Sequence, residues 1–276
     1  MIYDCIVIGA GPAGILSAIQ IKRAGFDVMV IERGEIGGLL RNAKCVENYL
    51  GFPGGISGKK LVEIFKQQLK NLSIKIKKEE ATRVNGKKIF SLKTNKGTYK
   101  TKSIVLASGT KPKSARLKGE KTLIGKRVFY HPDDLPHGER GKHILILGGG
   151  DAGFDYAVSL SDSGQITTII SPRGIKCLPL LKTEAEERSI PVFEKMVPKE
   201  VKTDGKSIEL ICKKGKFAAD YLLIAIGREP QVLRCPKTKG VFLAGDVHTG
   251  IYRQIHIATG DALQTAMNVT KYLQSL

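Results

Sequence analysis

The chain has no tryptophan, and its aromatic residues amount to only 6%. No apolar run approaches the ~20 residues that a membrane-spanning helix needs. Acids are scarce: 26 Asp and Glu stand against 45 Lys and Arg, for a net charge of +19. The five cysteines, Cys5, Cys45, Cys177, Cys212 and Cys235, are scattered and form no Cys-x-x-Cys. That pattern indicates neither a disulfide framework nor a zinc site, so no metal is expected. The N-terminus shows no basic region followed by an apolar run and a small-residue cleavage site, so a soluble cytoplasmic protein without membrane contact is the expectation. Lysines are spread over residues 87–102 and 213–216 with no aromatic-basic repeat. This argues against nucleic acid and for a solvated cationic surface, with an acidic redox protein as the other partner class.

What is abundant is glycine and aliphatic chain. There are 31 glycines, and 42% of the 276 residues are hydrophobic, enough for two domains of roughly 100 to 150 residues each. Residues 2–8 form an apolar run of strand length, and Gly9-Ala10-Gly11-Pro12-Ala13-Gly14 follows at once. A helix then runs to Gly25, and a second apolar strand over 28–31 is closed by Glu32. In such a βαβ unit the glycines let backbone approach a pyrophosphate at a helix N-terminus, and the terminal acid accepts from a ribose hydroxyl. The pattern returns about 140 residues later: a strand over 143–147, then Gly148-Gly149-Gly150-Asp151-Ala152-Gly153, a helix over 154–161 and a strand over 166–170. This second strand ends in Ser171-Pro172-Arg173, without an acid. Arg173 and Lys176 suit a 2′-phosphate there, which favours NADPH and leaves NADH open.

Between the units the spacing predicts antiparallel hairpins, with arms over 88–94 and 98–102 around Asn95-Lys96-Gly97. Buried strands over 104–110 and 222–227 each end in small residues and are followed by Pro112 and Pro230, candidate crossing points. The chain then returns through residues 240–246, a strand closed by Asp246, to Arg253-Gln254 and a helix reaching about Tyr272. The expected fold is α/β: two Rossmann-like dinucleotide-binding domains, the second inserted into the first, each with antiparallel β insertions. The expected boundaries are 1–112 with 236–276 for the first domain and 113–235 for the second.

These residues resemble the thioredoxin-reductase-like branch of the two-domain flavoproteins, the class II pyridine nucleotide-disulfide oxidoreductases. The likeness is carried by GAGPAG with Glu32, GGLL at 37–40, VENYLGFPGGISG at 46–58, LASGTKP at 106–112, GGGDAG, AIGREP at 225–230 and GVFLAGDVHTGIYRQ at 240–254. It implies that the first domain holds FAD through Gly9, Gly11, Gly14, Glu32, Arg33, Gly38, Leu39, Asn48, Gly109, Asp246, Arg253 and Gln254. It implies that the second holds the nicotinamide nucleotide through Gly148, Gly150, Gly153, Arg173 and Lys176, and that the protein is a homodimer.

The same resemblance exposes departures. Counting back from Gly148, the positions of the family's redox cysteines fall on His131 and Asp134, within Tyr130-His131-Pro132-Asp133-Asp134. Without two thiols there, a flavin cannot pass electrons to a stable active-site disulfide. His131, with Asp133 and Asp134, is a candidate acid/base group, or the stretch is a linker turn with an aspartate capping local N–H groups. Cys45 is a candidate single thiol. The basic cluster expected after the second strand is reduced to Arg173 and Lys176, and the stretch between Pro230 and Gly240 is short for the family. The expected activity is FAD-dependent transfer of electrons from NAD(P)H to an unidentified acceptor. The alternatives are a ferredoxin- or flavodoxin-NADP reductase, served by the cationic surface, and a non-catalytic flavin-binding redox sensor.

Overall fold

The computed structural model describes residues 1–250 and 252–276. The chain opens with β1 (Ile2–Ile8), α1 (Pro12–Arg23), β2 (Val28–Glu32), α2 (Gly58–Asn71), β3 (Lys75–Lys78), β4 (Ala81–Gly86), β5 (Phe90–Thr94), β6 (Thr98–Leu106) and β7 (Thr110–Pro112). Next come α3 (Glu120–Leu123), β8 (Val128–Phe129), β9 (His143–Leu147), α4 (Asp151–Asp162), β10 (Ile166–Ser171), α5 (Pro179–Glu187), β11 (Val192–Glu194), β12 (Pro198–Thr203), β13 (Ile208–Cys212), β14 (Lys216–Ala219) and β15 (Tyr221–Ile224). It closes with β16 (Arg228–Pro230), β17 (Val241–Leu243), α6 (Asp246–Thr249) and α7 (Ile255–Gln274).

Two compact units result. The first comprises Met1–Lys111 with Glu229–Leu276, and the second Pro112–Arg228. The outward crossing lies at Lys111–Pro112. The return lies at Arg228–Glu229, ahead of the expected 235–236, because residues after 228 already pack on the first unit. There Leu233 and Cys235 lie against the cluster of Phe90, Leu92 and Ile104, and the Gln231 amide donates to the Gly109 carbonyl at 2.9 Å.

In the first unit the sheet runs β3-β2-β1-β6-β5-β4, with β17 also paired to β6. β1, β2, β3, β6 and β17 are parallel, and β4 and β5 join antiparallel. The hairpin arm over 98–102 and the buried strand from 104 are one element: β6 pairs with β5 through its first half and with β17 through Ile104–Leu106. β2 and the later parts of β1 and β6 are apolar and buried, as strands covered on both faces are, whereas β3, Lys75–Lys78, is a polar edge strand. On one face α1 packs on α7, where Ala18, Ala262 and Ala266 are fully buried and Ser17 donates to the Ala262 carbonyl.

The second unit has a parallel sheet, β11-β10-β9-β15-β8, and a separate antiparallel sheet, β12-β13-β14. Phe154 of α4 is fully buried against Ile144, Ile146 and Leu223, and burial of such a side chain contributes roughly 1.5–3 kcal/mol. Among the described residues no helix is long and apolar enough to cross a membrane, and no cluster of His, Cys, Asp or Glu is placed to hold a metal ion.

Candidate nucleotide sites

Each unit brings a glycine turn to the carboxyl end of its sheet, the place where open α/β folds bind ligands. In the first, Gly9 has φ +107° and Gly14 opens the helix, and neither position tolerates a side chain. A Cβ on Gly9 would lie 2.3 Å from the Ala107 carbonyl oxygen, and one on Gly14 would lie 1.9 Å from that of Gly9. Gly11, the N-cap of α1, differs: nothing lies within 4 Å of its Cβ position. No side chain caps the helix, and Pro12 has no N–H to satisfy. The N-terminus of α1 is therefore an uncapped, positively polarised end facing open space, which suits a pyrophosphate.

Around this turn the structure gathers most of the residues singled out from sequence. Glu32 ends β2, where its Oε2 accepts from the Ala10 amide at 2.6 Å and its Oε1 from the Gly34 amide at 2.8 Å. Two amides hold the carboxylate while further lone pairs stay available for hydroxyl donors. Gly37 donates to the Ala10 carbonyl at 2.7 Å, which lays the 37–42 turn over the glycines. Gly38 comes so close that a Cβ there would stand 3.2 Å from the Gly11 Cα, and Leu39 beside it is half exposed. On the returning segment, Gly245 (φ +74°) seats against Ala13 of α1, where a Cβ would lie 2.5 Å from the alanine methyl. That contact brings Asp246 to the same end of the helix. Asp261 of α7 fixes the turn, accepting from the Gly245 amide at 2.7 Å and bonding His248 Nδ1 at 2.9 Å.

The 46–56 segment is closed by the Val46–Ile56 bridge and tied to the start of α7. Asn48 Nδ2 donates to Gln254 Oε1 at 3.3 Å, the Leu50 amide donates to His256 Nε2 at 3.2 Å, and the His256 ring stacks on Tyr49 with centroids 4.7 Å apart. Asn48 and Gln254 are thus brought together. The His256 ring, exposed on the surface of α7, is the post on which the loop is stacked. Arg253 is exposed. Arg33 turns to Glu80 at 3.6 Å and to Gln231 Oε1 at 3.2 Å. Gln231 also bonds Gly109, and its carbonyl accepts from Ser108 Oγ at 2.5 Å. Nothing in the local pattern of Gln231 marked it, because its partners lie more than a hundred residues away.

The second turn repeats the geometry. Gly148 (φ +147°) and Gly153 are closed to side chains by the Ala225 and Gly148 carbonyl oxygens, at 2.2 and 2.1 Å from their Cβ positions, while Gly150, the N-cap of α4, is open. Residues 171–178 fold back over this turn. Lys176 donates its amide to the Gly149 carbonyl at 2.7 Å, Leu178 donates to Asp151 Oδ1 at 2.8 Å, and Ser171 Oγ closes the loop on the Gly174 carbonyl at 2.8 Å. Arg173 sits at the bend.

His131, Asp133 and Asp134 lie just beyond β8. The stretch is a short 3-10 turn over Pro132–Asp134, and its cap is His131, whose Nδ1 accepts from the Asp133 amide at 3.2 Å. The turn reading is right about the shape, with the imidazole in place of an aspartate as the capping group. That bond leaves the proton of the neutral ring on Nε2. The ring meets Tyr156 of α4 edge to face at 5.6 Å, and burial raises the Tyr156 hydroxyl pKa. Upstream, buried Glu120 accepts from Ser114 Oγ at 2.8 Å, from the Leu117 amide at 2.9 Å and from the Tyr130 hydroxyl. Burial and that carboxylate push the Tyr130 hydroxyl up to about 12.

All five cysteines are free. Burial pushes the Cys5 thiol up to about 12 and also raises Cys177, Cys212 and Cys235. Cys45 alone is exposed, with its Sγ lying over Gly55, 2.6 Å from the Cβ position there.

A model of the family described as pyridine nucleotide-disulphide oxidoreductase matches residues 3–262. The chain belongs to that family. It is 30% identical to the thioredoxin reductase of Bacillus subtilis, over all of this chain and 96% of that protein. Among solved structures, the thioredoxin reductase of Lactococcus lactis superposes with a TM-score of 0.88 at 26% identity, over 99% of this chain and all of that one. The ferredoxin-flavin thioredoxin reductase of Clostridium acetobutylicum gives a TM-score of 0.55 at 26% identity, with 99% of each chain covered. The family's members are oxidoreductases, and the doubly wound units described above are its fold.

Proposed function

We propose that this chain is an FAD-dependent oxidoreductase, built like a thioredoxin reductase but working without a redox dithiol, which passes electrons from NAD(P)H through FAD to an acceptor other than its own disulfide. The observation that carries the reading is the coexistence of two intact glycine turns, each open over its middle glycine, with five free and dispersed cysteines. Thioredoxin-reductase kinship implies FAD in the first unit and NADPH in the second.

The residues present fit those groups. Gly11 and the uncapped start of α1 leave room and polarity for the FAD pyrophosphate, with Gly9 and Gly14 setting the turn. Glu32 has acceptor sites left for ribose hydroxyls, and Gly38 and Leu39 cover the turn. Asp246, Asn48, Gly109, Arg253 and Gln254 would orient the remainder, with Arg33 at the rim. In the second unit Gly148, Gly150 and Gly153 play the corresponding part, with Arg173 and Lys176 at the ribose end. By resemblance His131, its Nδ1 accepting from the Asp133 amide, stands in one position of the family's dithiol as a hydrogen-bonding side chain, with Asp134 in the other cysteine position. Cys45 is a second, weaker candidate for a reacting group, since a lone exposed thiol is able to attack a mixed disulfide only as its thiolate.

A second reading has reduced ferredoxin or flavodoxin as the electron donor in place of NAD(P)H. It is favoured by the net charge of +19, which attracts small acidic proteins, and by the likeness to the ferredoxin-flavin enzyme. Anaerobic titration of the flavoprotein separates the two. Stoichiometric loss of the flavin's visible absorbance on adding NADPH or NADH supports the first reading. A flavin that only dithionite or reduced ferredoxin bleaches contradicts it and supports the second.

A further inference from the structure

In a doubly wound nucleotide unit the acid that accepts from the adenosine ribose ends the second strand. Here that strand, β10, ends in buried Ser171. The fold supplies an acid from the next strand out. β11 ends in Glu194, and Ser171 and Glu194 are register partners in the parallel ladder, on strands spaced ~4.8 Å apart. Both side chains therefore leave the sheet at the same edge.

Glu194 is exposed, and its carboxylate is turned onto the neighbouring bend. Its Oε2 accepts from the Ile175 amide at 3.2 Å and stands 3.2 Å from the Cβ position of Gly174. The carboxylate is thus held over the 171–176 bend, and the same bend hangs on the glycine turn through the Lys176 amide and the Gly149 carbonyl. One amide leaves most of the carboxylate's acceptor capacity free. Among the described residues no ion pair neutralises it.

We propose that Glu194 sets the choice of nicotinamide nucleotide: it takes the part of the missing strand-end acid, accepting from a free ribose diol and repelling a 2′-phosphate, so that NADH is favoured over NADPH. Arg173 and Lys176, on the same bend, oppose it by attracting the phosphate. Glu194 has the fixed position at the edge where the ribose comes, and it carries the balance. The inference rests on residues 112–228 being a nicotinamide-nucleotide unit.

The test is equilibrium binding to the full-length flavoprotein, wild type and Glu194→Gln. Glutamine keeps an oxygen for the Ile175 amide and removes only the charge. The ligands are NADH and NADPH, with 5′-AMP and adenosine 2′,5′-bisphosphate as a pair that differs only in the 2′-phosphate and needs no hydride transfer. The expected result is that the substitution shifts the affinity ratio toward the 2′-phosphorylated member of each pair by about tenfold, the change expected for one charged contact. A ratio that moves by less than about twofold, with the nucleotides still bound, overturns the role of Glu194 and leaves the nucleotide unit standing. Failure of all four ligands to bind overturns the unit's reading, and the proposal with it.

Discussion

At the scale of single residues, the glycines of one turn do different work, and substitutions separate it. Gly14→Ala drives a methyl into the Gly9 carbonyl, 1.9 Å away. Overpacking of this kind costs about 1–3 kcal/mol, so thermal unfolding of the apoprotein should shift down. Gly11→Val adds bulk to open space, so the apoprotein's unfolding temperature should hold while FAD retention on gel filtration is lost. Equal loss of stability in both variants would contradict this assignment. Tyr130 gives a test by pH. Its folded pKa, raised to about 12 from an ordinary 10.0, means that above pH 10 the unfolded chain releases the proton first. Stability from this group is complete below pH 10 and is lost as pH rises through 12. Tyr130→Phe should flatten the fall of unfolding free energy across that window.

At the scale of elements, the strands and helices around both turns were readable because a βαβ unit states itself locally: continuous apolar runs, glycine spacing and a closing acid. β1 over Ile2–Ile8 and β9 over His143–Leu147 fall where the apolar runs place them. What sequence could not show depends on register and return. Glu194 faces Ser171 only because β11 pairs with β10, and the 98–102 arm fuses with the buried strand from 104 because β6 has two partners on one edge. His256 is another such case, a helix residue whose ring holds the 46–56 segment through Tyr49 and Leu50. His256→Ala removes that stack and leaves the Leu50 amide without its acceptor. Limited proteolysis should then cut within 46–56 several times faster, and FAD should dissociate more readily. An unchanged cleavage rate would show that the Val46–Ile56 bridge alone suffices.

For the molecule as a whole, the excess of 45 basic over 26 acidic residues bears on partners rather than on fold. If the electron partner is a small acidic protein, the second-order rate of its reaction with the flavoprotein should fall steeply with ionic strength, by about tenfold between low and physiological salt. A neutral small-molecule acceptor should show almost no dependence. The candidate site was legible to the extent that it is made of turns. The acceptor was not, because no local pattern names it, and the part His131 plays as a cap through Nδ1 was visible only once the 3-10 turn was seen.

The central claim is that FAD is the protein's sole redox-active centre. An anaerobic dithionite titration of the purified holoprotein tests it directly by counting electrons against bound flavin. The account predicts complete reduction after a single electron pair per FAD, with no thiols gained on reduction. Uptake of a second pair, with two new thiols titratable by a disulfide reagent, would reveal a redox-active disulfide and contradict it.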